Sequence, residues 1–330
     1  MFRIIYIEAE VANHPVTLDI LGRFPDAVRV SCERYTEIFN RKSQDFRLQK
    51  KQPALILAKK IKQYVLPTPD NFHVGSRHNY YFSHMLNCIY DCRYCFLQGM
   101  YRSAHYVLFV NYEDFKNAII QTSSLHQGER TCFFSGYDCD SLALDPVTRF
   151  CEFFLPVFEK LPDVELELRT KSVQIRQLLD REPLTNCIIA FSFTPDGISQ
   201  VLEKNVPAVT KRLNVLEKLQ GQGWKIGLRF DPLIYDASFE SQYQNLFQQI
   251  FTRIDTDSLH SVSLGTFRLP RPYFKTMKKL YPDVPLFAGL LQENQSLVSY
   301  NQTLNQRMIE FCSTHIRRYV PDEKFFPIYE

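Results

Sequence analysis

Tryptophan is almost missing from the sequence: Trp224 stands alone beside 27 phenylalanines and 18 tyrosines in 330 residues. No apolar run approaches the ~20 residues that cross a bilayer, so the sequence predicts no membrane partner. The opening "MFRIIYIEAE" places acids where the apolar core of a secretory signal would continue, and the expected location is cytoplasmic. No internal repeat and no low-complexity linker appears, which excludes a solenoid or a string of tethered modules. A strong net charge is missing too. At +3 the balance does not by itself argue for a polyanionic partner. What remains is 45% apolar content, enough for one large domain or one domain with an N-terminal appendage.

The local distribution of charge says more. From Arg41 to Lys62 run eight basic residues (Arg41, Lys42, Arg47, Lys50, Lys51, Lys59, Lys60, Lys62) against one acid, Asp45. A second run, "FRLPRPYFKTMKK", carries Arg268, Arg271, Lys275, Lys278 and Lys279. Such runs are either solvated faces or phosphate contacts.

Residues 1–78 predict a small α/β extension: strands at "RIIYIEAE", "AVRVSC" and "ALILAK" and a helix at "PVTLDILGRF". An irregular segment, "YVLPTPDNFHVGSRHNYYF", follows. From Tyr80 the pattern alternates. Strands are expected at "YYFSHML", "RTCFFSG", "VELELRT", "CIIAFSF", "WKIGLRFDP" and "LHSVSLGTF". Helices are expected at "NYEDFKNAIIQTS", "PVTRFCEFFLPVFEKL", "SVQIRQLLDR", "AVTKRLNVLEKLQGQG" and "FESQYQNLFQQIFTRI". Short apolar strands separated by amphipathic helices imply a parallel sheet. Six of them suit an α/β fold with a partial (β/α)6 TIM-like barrel over residues 79–330, ending in a helical segment. Functional residues are then expected just past the strand C-termini.

Three of the nine cysteines fall there, in "NCIYDCRYCFLQGMYR", spaced Cys88-x3-Cys92-x2-Cys95. In a reducing compartment such a cluster reads as a metal site rather than as disulfides. A structural zinc site closes with four ligands, and His84 or Cys132 could supply the fourth, but neither belongs to a second recognisable ligand pair. The alternative is a [4Fe–4S] cluster on three thiolates, which leaves one iron open to a substrate or cofactor. The dispersed Cys32, Cys132, Cys139, Cys151, Cys187 and Cys312 read as small buried hydrophobes.

The C-x3-C-x2-C loop after the first strand of a partial barrel resembles the signature of the radical S-adenosylmethionine (SAM) superfamily. "CIYDCRYCFLQ", with its aromatic-Leu-Gln after the third cysteine, resembles the spore photoproduct lyase family. So do "RTKS", "IAFSFT", "GWKIGLRFDPLIY", "FRLPRP" and "KKLYPD", in that order. The resemblance implies a lyase that reverses a methylene-bridged thymine dimer in DNA through a 5′-deoxyadenosyl radical. It implies that Cys88, Cys92 and Cys95 hold the [4Fe–4S] cluster. Asp140, Lys171 and Ser192 fall on positions that contact SAM, and Gly136 sits where backbone approaches that cofactor. Without the resemblance these read as a capping Asp, a solvated Lys, a strand-end Ser and a turn glycine. A low-potential electron donor such as flavodoxin or ferredoxin is implied as a partner. Tyr94 falls on a hydrogen-transfer tyrosine. "LRFDP" offers Arg229 and Asp231 as an ion pair or a binding feature, and "FRLPRP" offers Arg268 as a phosphate contact.

Two positions depart from the family. A tyrosine expected after the third cysteine is Phe96, and the hydrogen-donating cysteine falls on Tyr137. If residues 137–139 are extended, Cys139 shares a face with Tyr137, and the two together replace the donor. The departures keep open a radical SAM enzyme acting on RNA, a peptide or a small metabolite. A zinc-dependent nucleic-acid-binding module without catalysis is the reading from another class.

Overall fold

The computed structural model describes residues 2–69, 72–294 and 296–328; residues 70 and 71 of the irregular segment lie outside them. The chain opens with a strand Ile4–Glu8, a helix Pro15–Arg23 and a strand Val28–Cys32 that pairs parallel with the first. The helix starts on Pro15, and His14 caps it by accepting from the Val16 amide at 3.3 Å. Thr17, Ile20 and Leu21, one stripe at helical spacing, are buried. Leu55–Ala58 pairs on the other side of Ile4–Glu8. Tyr106–Phe109 joins parallel to Leu55–Ala58, and Met85–Leu86 closes the sheet antiparallel. The sheet begun within residues 1–78 is therefore completed by strands from beyond residue 78.

The second sheet is the barrel. Its parallel strands are β1 (His78–Phe82), β2 (Thr131–Ser135), β3 (Val164–Thr170), β4 (Cys187–Ser192), β5 (Lys225–Leu233), β6 (Leu259–Thr266) and β7 (Phe325–Pro327), in that spatial order. Six are the strands expected from the sequence. The seventh was not: after the helix Gln302–Ile316 the chain returns to extend the sheet beside β6. Helices Tyr112–Ser124, Phe150–Glu159, Val209–Gln222 and Phe239–Phe251 connect successive strands. Three expected elements differ. "YYFSHML" is two strands, since the chain leaves β1 at Ser83 and Met85–Leu86 belongs to the other sheet. "PVTRFCEFFLPVFEKL" breaks at Arg149, whose φ is +51°, and "SVQIRQLLDR" is helical only over Arg176–Leu179.

β3 shows how the barrel is filled. Leu166 and Leu168 join the apolar core, while Glu165 and Glu167, on the alternate positions, are buried against other strands. Glu167 accepts from Arg229 of β5 twice, at 3.1 and 2.6 Å, and Arg229 also donates to the Ser261 hydroxyl of β6 at 2.9 Å. Both charges are fully buried and bidentately paired. Arg229 thus pairs with Glu167 rather than with Asp231, which takes Arg268 at 3.1 Å.

Candidate active site

The cysteine loop begins where β1 ends and is clamped along its length. Asn87 adopts φ +69°, a region its short polar side chain tolerates, and donates to the Ser103 and His105 carbonyls at 2.7 Å each. Asp91–Cys92 pairs antiparallel with Glu203–Lys204, and the Arg93 amide donates to the Leu202 carbonyl at 2.8 Å. The Cys95 amide turns back onto the Cys92 carbonyl at 3.0 Å, and the short helix Leu97–Met100 follows.

Cys92 is buried, and Cys88 and Cys95 are nearly so. Burial pushes the Cys88 thiol up to about 12, and the charges of Asp140 and Cys95 push the same way. Burial also raises Cys92 and Cys95, and the charges of Cys95 and Cys88 add to the rise at Cys92. Among the described residues no three His, Cys, Asp or Glu side chains are grouped to hold a single metal ion. A cluster does not ask for that, because its thiolates bind different irons. Neither proposed fourth ligand stands in the loop. The His84 ring lies on Phe150, centroids 4.2 Å apart, and Cys132 packs with Val74 and Phe134 inside the barrel.

Beneath the loop lies a buried network that sequence reasoning missed. Glu203 accepts from the Tyr94 hydroxyl, from Thr194 at 3.0 Å, from Ser199 at 2.7 Å and from Arg212 at 2.8 Å. Lys171 stands 3.7 Å from the same carboxylate and 5.8 Å from the Tyr94 ring centroid. Burial alone would raise Glu203, but Lys171 and Arg212 hold it down at about 2. Lys171 is therefore a buried, paired cation and not a solvated one. No sequence signal marked Glu203, which looks like an ordinary helix-end acid.

The other expected SAM positions fall around the same mouth. Asp140 caps its own loop, its Oδ1 accepting from the Leu142 and Ala143 amides and the Thr170 hydroxyl, its Oδ2 from the Lys171 amide at 2.7 Å. These bonds tie the loop after β2 to the end of β3, and they cap no helix, since the helix Asp145–Thr148 has Leu144 at its N-cap. Gly136 has φ +82°, and an added Cβ would lie 2.5 Å from Ser141 Oγ, so glycine is required for the loop to close on itself. Ser192 is buried at the end of β4, and its carbonyl accepts from Arg212 at 2.7 Å.

Residues 137–139 form a bend, not an extended segment, so the argument that Cys139 shares a face with Tyr137 does not apply. Cys139 is buried in the apolar core, where burial first and Cys88 second raise its thiol. Tyr137 joins an aromatic wall instead. Its ring stacks on Tyr81 at 4.3 Å and lies 5.6 Å from Phe96 and 6.2 Å from Phe72. The Arg169 guanidinium covers Phe72 at 4.6 Å. The wall combines flat π faces with a cation, the surface that unstacked nucleobases bind.

A family model described as spore photoproduct lyase matches residues 70–302, well over half of the chain. The chain belongs to the spore photoproduct lyase family. Spore photoproduct lyases of Bacillus subtilis and of a Geobacillus strain are each 23% identical over 202 residues, 60% of this chain and 59% of theirs. The matched stretch thus spans under two thirds of those relatives. A solved spore photoproduct lyase variant with bound AdoMet and dinucleoside spore photoproduct superposes with a TM-score of 0.86 at 17% identity, over 100% of this chain and 98% of that one. Streptococcus suis SuiB bound to its precursor peptide SuiA gives 0.50 at 10% identity, over 76% and 48%. At such identities the likeness is one of fold: an α/β partial barrel on a curled parallel sheet.

Proposed function

We propose that this protein is a radical SAM lyase that reverses a thymine-dimer-type lesion in DNA. The observation that carries the reading is the three-thiol loop, fixed over the C-terminal mouth of a parallel half-barrel beside an aromatic wall. Membership of the spore photoproduct lyase family supports it, as does the relative that holds AdoMet and dinucleoside spore photoproduct. Cys88, Cys92 and Cys95 would hold a [4Fe–4S] cluster, and Gly136, Asp140, Lys171 and Ser192 would frame SAM. Together these groups supply an electron and a carbon radical able to abstract hydrogen.

The chain's own residues do the rest. Lys171 offers a buried ammonium to a carboxylate, with Glu203 as its resting partner. Tyr81, Tyr137 and Phe96 give a lesion flipped from the duplex its stacking faces and exclude water from the radical. Tyr137 replaces the family's cysteine as the hydrogen donor, its hydroxyl returning a hydrogen atom to the thymine methyl radical left by fragmentation. Tyr94, held on Glu203, is the other tyrosine that hydrogen transfer would use. The reduced thiols belong to a cytoplasmic setting.

The test is anaerobic incubation of reconstituted protein with SAM, a reductant and UV-irradiated DNA, measuring 5′-deoxyadenosine and repaired thymine together. Repair above a Cys92→Ala control supports the reading. SAM cleavage without repair turns the substrate to RNA, a peptide or a metabolite.

A further inference from the structure

The basic residues that the sequence offers to phosphates divide into two groups. One group is already paired. Lys59 bonds Glu10, Arg268 pairs with Asp231, and Arg271 pairs with Glu293 at 2.8 Å. Lys60 is half-buried over the Phe109 ring at 5.1 Å.

The other group is exposed and meets no carboxylate among the described residues: Arg41, Lys42 and Lys62 outside the helices, Arg47 and Lys51 on the helix Phe46–Lys51, and Lys275, Lys278 and Lys279 on the helix Arg271–Leu280. These helices lie more than two hundred residues apart in sequence, yet both rest on the cysteine loop. Lys50 of the first donates to the Cys88 carbonyl at 3.3 Å. The second packs so tightly on the turn after Cys95 that a Cβ on Gly99 would lie 2.4 Å from the Tyr273 carbonyl. Just past its end, the Tyr281 hydroxyl donates to Gln98 at 3.1 Å, and Arg93 of the loop covers the Tyr281 ring at 3.8 Å. Through these contacts with the loop, at Cys88 on one side and at Gln98 and Gly99 on the other, the two helices border one basic patch. Leu48, 63% exposed, sits within it.

We infer that this patch, formed by Arg47, Leu48, Lys51, Lys278 and Lys279 around the back of the cysteine loop, docks an acidic one-electron carrier protein. Un-neutralised cations around an apolar residue suit a transient electron-transfer encounter, which is small and steered by charge. It lies over the Cys88 and Cys95 ends of the loop, which Lys50 and Gln98 touch. The aromatic wall, on Tyr81, Phe96 and Tyr137, is left for the lesion. In the encounter the carrier loses one electron and the cluster gains one. The inference rests on the proposed cluster, so iron and sulfide are quantified first in every sample.

The experiment titrates oxidised flavodoxin, and separately UV-irradiated duplex, into reconstituted protein at low salt. It compares wild type with the Arg47→Glu/Lys51→Glu and Lys278→Glu/Lys279→Glu double variants. Stopped-flow reduction of the cluster by reduced flavodoxin is followed beside reduction by dithionite. Each double variant is expected to weaken flavodoxin binding about tenfold or more and flatten its salt dependence. Reduction by flavodoxin slows with it, while dithionite reduction and duplex affinity hold. Unchanged flavodoxin affinity, or duplex affinity that falls as far, overturns the inference. Samples without iron and sulfide would instead overturn the cluster reading itself.

Discussion

Glu203 shows what a single residue can hide. The three cysteines are legible because they fall within eight consecutive residues. The network around Glu203 draws on Tyr94, Lys171, Thr194, Ser199 and Arg212, and the longest link spans 109 positions. Only folding brings it together. Glu203→Ala would leave Arg212, fully buried, without its carboxylate. The expected cost is about 3–5 kcal/mol, read from urea unfolding of the apo protein. A loss under about 1 kcal/mol would mean that Arg212 is satisfied by the Ser192 carbonyl and Ser199 alone. Tyr137 is the contrasting case. Tyr137→Phe keeps the stack on Tyr81, so stability should change by no more than about 0.5 kcal/mol. SAM cleavage should survive while repaired thymine gives way to trapped by-products. An unchanged product distribution would move the quench to Tyr94.

At the scale of elements, periodicity located the barrel strands almost residue by residue. The period 2 of a strand and the 3.6 of a helix are local properties. What periodicity did not show is where the chain changes sheet. No glycine or proline stands between Tyr80 and Leu86, only Ser83 and His84, yet Phe82 ends in one sheet and Met85 begins in the other. β7 was missed for the same reason, because Phe325–Pro327 is too short to show a period and forms only against β6. Close approach between elements was equally silent. Nothing in the sequence marks Gly99, but its missing Cβ lets the short helix Leu97–Met100 touch the backbone of the helix Arg271–Leu280. Gly99→Ala meets three backbone atoms within 2.8 Å, none of which can rotate away. It should cost about 1–3 kcal/mol and lower iron retention, measured by thermal unfolding and by iron content after reconstitution. Unchanged values in both would show that the helix shifts freely.

Over the whole molecule, the barrel is braced by charge at the end remote from the cysteines. Glu165 of β3 accepts from Ser76 before β1 at 3.0 Å, from Arg130 before β2 at 3.0 Å and from His260 of β6 at 3.2 Å. One carboxylate therefore links segments that enter four strands of the sheet. Burial would raise it, but the hydrogen bond and charge of His260, then Arg130 and Ser76, hold it at about 2 against an ordinary 4.5. A carboxyl depressed in the folded state binds its proton later than in the unfolded chain. Its stabilisation is complete above about 4.5 and is lost as pH falls toward about 2. The difference of about 2.5 pK units sets a ceiling of about 3 kcal/mol, and the exposure of Arg130 brings the expected contribution to about 1–3 kcal/mol. Glu165→Gln should lower stability by that amount at neutral pH and by about a quarter of it at pH ~2.5, so the two unfolding curves converge on acidification. Urea unfolding of both proteins at several pH values between ~2.5 and ~7 decides it. Parallel curves across that window would show that Glu165 carries no charge-dependent share of the barrel's stability, and that its neighbours brace the sheet by packing alone.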